Sequence, residues 1–130
     1  MNMAEFVINL VSGYNAIIRS EASRLNITLS QAFHLLSIPF DGISMSKLAQ
    51  KLGLDTSTLT RNIQKLEKFS LVFRKPDDYD RRMQIIFLTD EGHKTHNQLT
   101  ENINNLNYDI MSQLSMDDNE IVQQSIEKLA

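Results

Sequence analysis

Residues 44–92 read SMSKLAQKLGLDTSTLTRNIQKLEKFSLVFRKPDDYDRRMQIIFLTDEG, and the order of caps, apolar positions and turns within them decides the fold. Ser44 is a good N-cap for a helix carrying Leu48, Ala49 and Leu52, and Gly53 supplies the left-handed residue that ends it. Asp55 caps a second helix over residues 56–69, whose core positions Leu59, Ile63 and Leu66 fall on one side, with Phe69 near its end. Two helices joined by a glycine turn of about three or four residues form a helix-turn-helix. After Ser70 the pattern becomes extended: Leu71, Val72 and Phe73 precede Arg74 and Lys75, and Gln84, Ile85, Ile86, Phe87 and Leu88 form a second β-prone run. The two runs predict a hairpin. Its connection, Pro76 to Met83, is longer than the usual two to five residues or so and dense in charge, which marks it as a loop that can carry function.

Outward from this segment the pattern is helical on both sides. Phe6, Leu10, Tyr14, Ile17 and Ile18 recur at helical spacing and predict an amphipathic helix over residues 4–24, weakened slightly by Gly13. Thr28 and Gln31 form a capping-box pattern ahead of Ala32, Phe33, Leu35 and Leu36, and Pro39 limits that short helix. Thr89 caps a long helix with Asp90 and Glu91 in its first turn, and Leu99, Ile103, Leu106, Ile110 and Leu114 continue it as a heptad-like seam. Ser115 and Asp118 begin a final helix striped by Val122, Ile126 and Leu129. The expected fold is mainly α with a small β-hairpin. It forms a single domain, 1–130, in which a winged helix-turn-helix lobe, 28–92, is flanked by helical segments, 1–27 and 93–130. Those segments carry more apolar surface than one small winged domain can cover, so they are read as a dimerisation lobe.

The 130 residues are 42% hydrophobic and 22% charged, as expected of one soluble globular domain. The longest apolar run falls far short of the roughly 20 residues that span a bilayer, and the N-terminus lacks a basic signal-peptide start. A cytoplasmic protein without a membrane partner is expected. With no cysteine there is no disulfide, thiolate zinc site, catalytic thiol or thiol switch. The net charge of -3 is unevenly spread: residues 44–94 hold ten basic and seven acidic side chains, and the flanks hold three basic and nine acidic ones. A basic middle in an acidic chain points to a localised anionic partner.

The helix over 56–69 shows where that partner would sit. At 100° per residue, the side opposite Leu59, Ile63 and Leu66 holds Ser57, Arg61, Gln64 and Lys68, flanked by Thr58, Thr60 and Lys65, with Glu67 near the edge. Hydrogen-bonding side chains mixed with cations are the groups that read base edges and phosphates. The hairpin adds Arg74, Lys75, Arg81 and Arg82 near a projecting loop. Asp80 is expected to accept hydrogen bonds from Arg82 and hold its guanidinium outward.

In these residues the chain resembles the MarR family of winged-helix transcriptional regulators. LAQKLGLDTSTLTR, the Asp80-Arg81-Arg82 segment and LTDEG occur in that family's order and spacing. The resemblance implies that helix 56–69 enters the major groove of double-stranded DNA, that Arg82 lies in or near the minor groove and that terminal helices build a homodimer. It also implies a repressor on a partly palindromic operator, relieved by a small aromatic or anionic effector bound between the helical lobe and the winged domain. Tyr14, Ile17, Phe33 and His34 are the candidate lining residues, with ordinary core packing as the competing role for each. Two departures stand out: Ser70 replaces the usual glycine between recognition helix and wing, and Lys47 sits where an acidic capping-box residue is common. A left-handed serine there costs about 1 kcal/mol relative to glycine.

Other chemistries lack a centre. His93 and His96 are one helical turn apart with Asp90 and Glu101 near in sequence, but two solvated histidines outweigh a metal site. The six methionines are read as core filler. No phosphate-binding glycine loop, nucleophile elbow or metalloprotease motif is present, so no enzyme, cofactor or metal is expected. The alternative in another class is a winged-helix module that binds a protein and no specific DNA.

Overall fold

The computed structural model describes all 130 residues as α1 Met3–Arg24, α2 Leu29–Leu36, β1 Ile43–Ser44, α3 Met45–Leu52, α4 Thr56–Lys68, β2 Val72–Pro76, β3 Gln84–Leu88, α5 Asp90–Met111 and α6 Met116–Leu129. Each helix begins where a side chain receives an otherwise free amide. Thr28 and Gln31 close a reciprocal capping box, as do Asn2 and Glu5 at the head of α1. Ser44 accepts from the Lys47 amide at 3.2 Å, and Lys47, having no acceptor in its side chain, leaves that box half made. Asp55, Thr89 and Ser115 cap α4, α5 and α6, and Gly53 ends α3 at φ 66°.

The structure differs from the sequence pattern in two places. The hairpin is part of a three-stranded antiparallel sheet of order β1-β3-β2, with Ile43 opposite Ile86 and Phe73 opposite Phe87. A two-residue strand is too short to show an alternation, so β1 left no signal of its own. The seam also stops early: α5 ends at Met111, and Leu114 falls in the following turn. There the Ser112 hydroxyl takes the Asp109 carbonyl at 2.7 Å and the Asn119 amide takes the Met111 carbonyl at 3.2 Å, drawing off acceptors at the helix end.

Burial is organised in two clusters. One joins Leu35, Leu48, Leu59, Ile63, Leu66, Val72, Ile86 and Leu88 of α2, α3, α4 and the sheet; the other joins Ile18 and Ala22 of α1, Ala32 of α2 and Leu99 of α5. The short helix α2 therefore contributes to both, one turn apart. α6 has no buried residue.

The winged part is locked to α5 at the end of α4. Ser70 adopts φ 59°, the left-handed conformation that the family resemblance implied for this position. The Thr89 hydroxyl donates to the Ser70 carbonyl at 2.6 Å and the Thr89 amide to the Leu71 carbonyl at 3.1 Å. Gly92 then passes so close that a Cβ on it would lie 1.9 Å from the Leu71 oxygen. Relief of the left-handed serine by Ser70→Gly is expected to stabilise the fold by about 1 kcal/mol. Gly92→Ala, which must push backbone aside, is expected to destabilise it by about 2 to 3 kcal/mol. Urea unfolding followed by circular dichroism measures both, and opposite signs are the expected result.

Candidate nucleic-acid interface

The helix-turn-helix places α4 with its apolar stripe inward and its polar face out. Leu59, Ile63 and Leu66 are fully buried, whereas Ser57, Arg61, Gln64, Lys65 and Lys68 are exposed. Two of the predicted residues are already occupied. The Thr58 amide and hydroxyl donate to Asp55 at 2.7 and 2.9 Å, and the Thr60 hydroxyl donates to the Thr56 carbonyl at 2.8 Å. Those bonds, chiefly the one from the Thr58 amide, together with the charge of Arg61, hold the Asp55 carboxyl below its ordinary pKa. Arg61 faces outward with no carboxylate within salt-bridge distance.

Across a cleft of about 360 Å³ from the start of α3 and α4 lies the wing. Arg82 projects into solvent with its side chain 91% exposed, yet it is not loose. Its Nε donates to Asp80 Oδ1 at 3.1 Å, its Nη2 to Oδ2 at 3.3 Å and its backbone amide to Oδ1 at 3.1 Å. Asp80 thus accepts three hydrogen bonds from the one residue. Asp77 in turn accepts from the Asp80 amide at 3.0 Å, which secures the loop that holds it. Arg81 is exposed and makes no ion pair. Arg74 is different: its Nη2 meets Glu67 Oε1 at 2.8 Å and both side chains are about two-thirds to three-quarters covered, so this cation is tied to α4.

The four residues named for an effector pocket differ in their surroundings. Tyr14 is half-buried, with its hydroxyl bonded to Asn107 Oδ1, and it packs on the Ile18 and Leu99 cluster. Ile17 is half-buried and Phe33 lies on the surface. His34 is 2% exposed and borders a small recess with Thr28, Ser30, Gln31, Asn62, Lys65 and Leu66. Neighbours on α2 are 100° apart, so Phe33 and His34 address different surroundings. His34 Nδ1 lies 2.6 Å from the Ser30 carbonyl and Nε2 lies 3.2 Å from the Asn62 amide nitrogen. Asn62 had no role in the sequence pattern; the only hint was a polar residue beside the apolar stripe. His93 rests against the Phe40 ring with centroids 5.2 Å apart, and no group of three or more metal-ligating side chains is assembled. No helix is long and apolar enough to cross a membrane.

Comparison with known proteins bears on this geometry. Residues 27–83, which run from the turn before α2 to the end of the wing loop, match the model of the MarR family. Over that segment the chain is similar to the MarR family. The organic hydroperoxide resistance transcriptional regulator of Bacillus subtilis (strain 168) is 34% identical over 70 residues, 53% of this chain and 48% of that protein. The HTH-type transcriptional regulator TcaR of Staphylococcus aureus (strain Newman) is 26% identical over 129 residues, 95% of this chain and 85% of that protein. The chain spans about half the length of the first of these two. Among solved structures, apo MarR from E. coli superposes with a TM-score of 0.82 at 22% identity, covering 99% of this chain and 96% of that one. The S. aureus MepR-DNA complex gives 0.77 at 22% identity, covering 99% and 97%. These likenesses establish the winged-helix fold with its terminal helices.

In the wing the Asp80 carboxyl sits below its ordinary pKa because the Arg82 side chain, and next its amide, bond to the charged form. A depressed carboxylate pKa means that the clasp is intact above the ordinary aspartate range and opens as pH falls through the lowered value. Carbon-detected NMR titration of Asp80 is expected to show this, and Arg82→Ala should move the midpoint most of the way back up. The residual depression is expected from the amide at position 82, which remains.

Proposed function

We propose that the chain is a sequence-specific regulator of transcription that binds double-stranded DNA as a homodimer. α4 reads the major groove, Arg82 reaches the adjacent minor groove, and occupancy of a partly palindromic operator blocks transcription. The observation that carries this reading is one surface on which the outward face of α4, free of uncompensated acid, adjoins a guanidinium that Asp80 has already oriented. A narrow minor groove concentrates negative potential, and a pre-aligned arginine enters it with little further loss of freedom. The relatives' names as transcriptional regulators and the MepR-DNA complex support the same reading. In this reading residues 28–92 form the DNA-binding lobe, and residues 1–27 and 93–130 the dimerisation lobe.

Ser57, Arg61 and Gln64 are assigned to base edges, and Lys65, Lys68 and Arg81 to phosphates. Arg74 acts through its pairing with Glu67, and Thr58 and Thr60 keep only acceptor capacity for the DNA. Selection from a random duplex pool is expected to enrich a two-fold motif. Arg61→Ala should cost about 1 to 3 kcal/mol and relax preference at particular bases, whereas Lys68→Ala should weaken all sequences evenly. Failure of the wild type to enrich any sequence across several salt concentrations would transfer the fold to a protein-interaction role.

Dimerisation rests on apolar surface that one protomer leaves open. Phe6, Ile8 and Leu10 of α1 and Ile121, Ile126 and Leu129 of α6 are all more than half exposed, and these helices sit at the two ends of the chain. A second copy covers such a patch best, and it presents two α4 helices to half-sites about one helical turn apart. Sedimentation is expected to give a dimer at micromolar concentration and a monomer after removal of residues 117–130. Control would come through a noncovalent aromatic or anionic ligand that prefers one spacing of the two α4 helices, since the chain has no thiol to oxidise.

A further inference from the structure

Resting on the assignment of α4 to DNA, we infer that His34 is a positioning residue: through Asn62 it sets the rotation of α4 about its own axis. An apolar stripe holds a helix against a core but resists rolling weakly, because dispersion and burial have no direction. On α4, taking Leu59 as zero, the buried stripe occupies roughly -20° to 40°, Asn62 lies at about -60° and Glu67 at about 80°. Each of these two flanking residues is tied to a different neighbouring element. Glu67 meets Arg74 of β2 at 2.8 Å, and Asn62 meets His34 of α2 at 3.2 Å. The helix is thus stayed on both sides of its stripe, and its outward face has one setting.

The His34 stay has a direction built in. The Ser30 carbonyl can only accept, so His34 Nδ1 carries the proton and donates at 2.6 Å. Nε2 is then the acceptor, and the Asn62 amide donates to it. The ring is 2% exposed, so its position is set by the packing of α2, which belongs to both apolar clusters. With side chains at a radius of about 5 to 6 Å, a roll of about 20° moves every outward tip by about 2 Å. That is enough to break hydrogen bonds to base edges while leaving cations near the phosphates.

The test compares base preference from a random duplex pool with affinity for non-specific duplex, in the full-length protein. For Asn62→Ala and His34→Leu the ratio of specific to non-specific binding is expected to fall about tenfold, with preference flattened at every position read by α4 and non-specific affinity held within about twofold. His34→Gln, which keeps an acceptor for the Asn62 amide, should retain preference within about threefold. Asn62 is only half-buried, so Asn62→Ala carries the test even where His34→Leu does not fold by circular dichroism. Wild-type preference in Asn62→Ala would overturn the inference. So would loss at a single base position in Asn62→Ala alone, which would make Asn62 a direct reader, and so would His34→Gln matching His34→Leu. No enrichment by the wild type removes the DNA reading, and this inference with it; enrichment by the wild type with any of the other three outcomes removes the inference alone.

Discussion

The junction at Ser70, Leu71, Thr89 and Gly92 is the contact on which the rest of the molecule depends. It joins three things that a chain could otherwise arrange independently: the end of α4, the start of the wing and the departure of α5. A left-handed Ser70 turns the chain, the Thr89 side chain and amide take the two carbonyls that this turn exposes, and the absent side chain of Gly92 lets α5 leave against them. Carbonyls freed at a turn need donors, and here one residue supplies two of them while its hydroxyl also accepts from the Gly92 amide as the α5 cap. Because the strands return to this point, the wing tip and the outward face of α4 end on one side of the protein.

On that side, the placement of charge matters more than its sum. The chain is acidic overall, and the wing loop alone carries Asp77, Asp78 and Asp80 beside Arg81 and Arg82. Counting charges would predict a nearly neutral, inert loop. In the folded protein, Asp77 is occupied by an amide and Asp80 by a guanidinium, and the guanidinium still projects. The same carboxylate chemistry has the opposite consequence at Glu67, where pairing draws Arg74 inward and converts a cation into a brace. Exposure of the pair is the difference: one arginine is held at the tip of a loop, the other lies across a helix.

α2 and α6 mark the limits of what one protomer completes. α2 gives Leu35 to the core beneath α4 and Ala32 to the core beneath α1 and α5, so any displacement of one cluster is felt by the other through eight residues. α6 joins neither and leaves Ile121, Ile126 and Leu129 facing water. A helix of that composition is held by what covers its apolar stripe, not by intrinsic propensity alone.

Much of this was already present in the linear pattern. Caps and periodicities are local: Thr28 with Gln31, Ser44, Gly53, Asp55 and Thr89 each act within one turn, so the elements and the polar face of α4 could be read directly. The Asp80 to Arg82 clasp spans two residues and was legible for the same reason. β1 escaped because two residues carry no period, and the end of α5 at Met111 escaped because Asn119, eight residues on, takes its carbonyl. Tyr14 and Ile17 lie about 60° apart on α1, whereas Phe33 and His34 lie about 100° apart on α2, one exposed and the other buried, a difference that only packing decides. What the sequence by itself determined is the set of elements and the chemistry each presents, since short-range hydrogen bonds and helical or strand repeats depend on neighbours along the chain. Only the tertiary structure decided which cation is a brace and which is free, and that a histidine of α2 meets an asparagine of α4. Such pairings join residues on different elements, and their geometry exists only once those elements have packed.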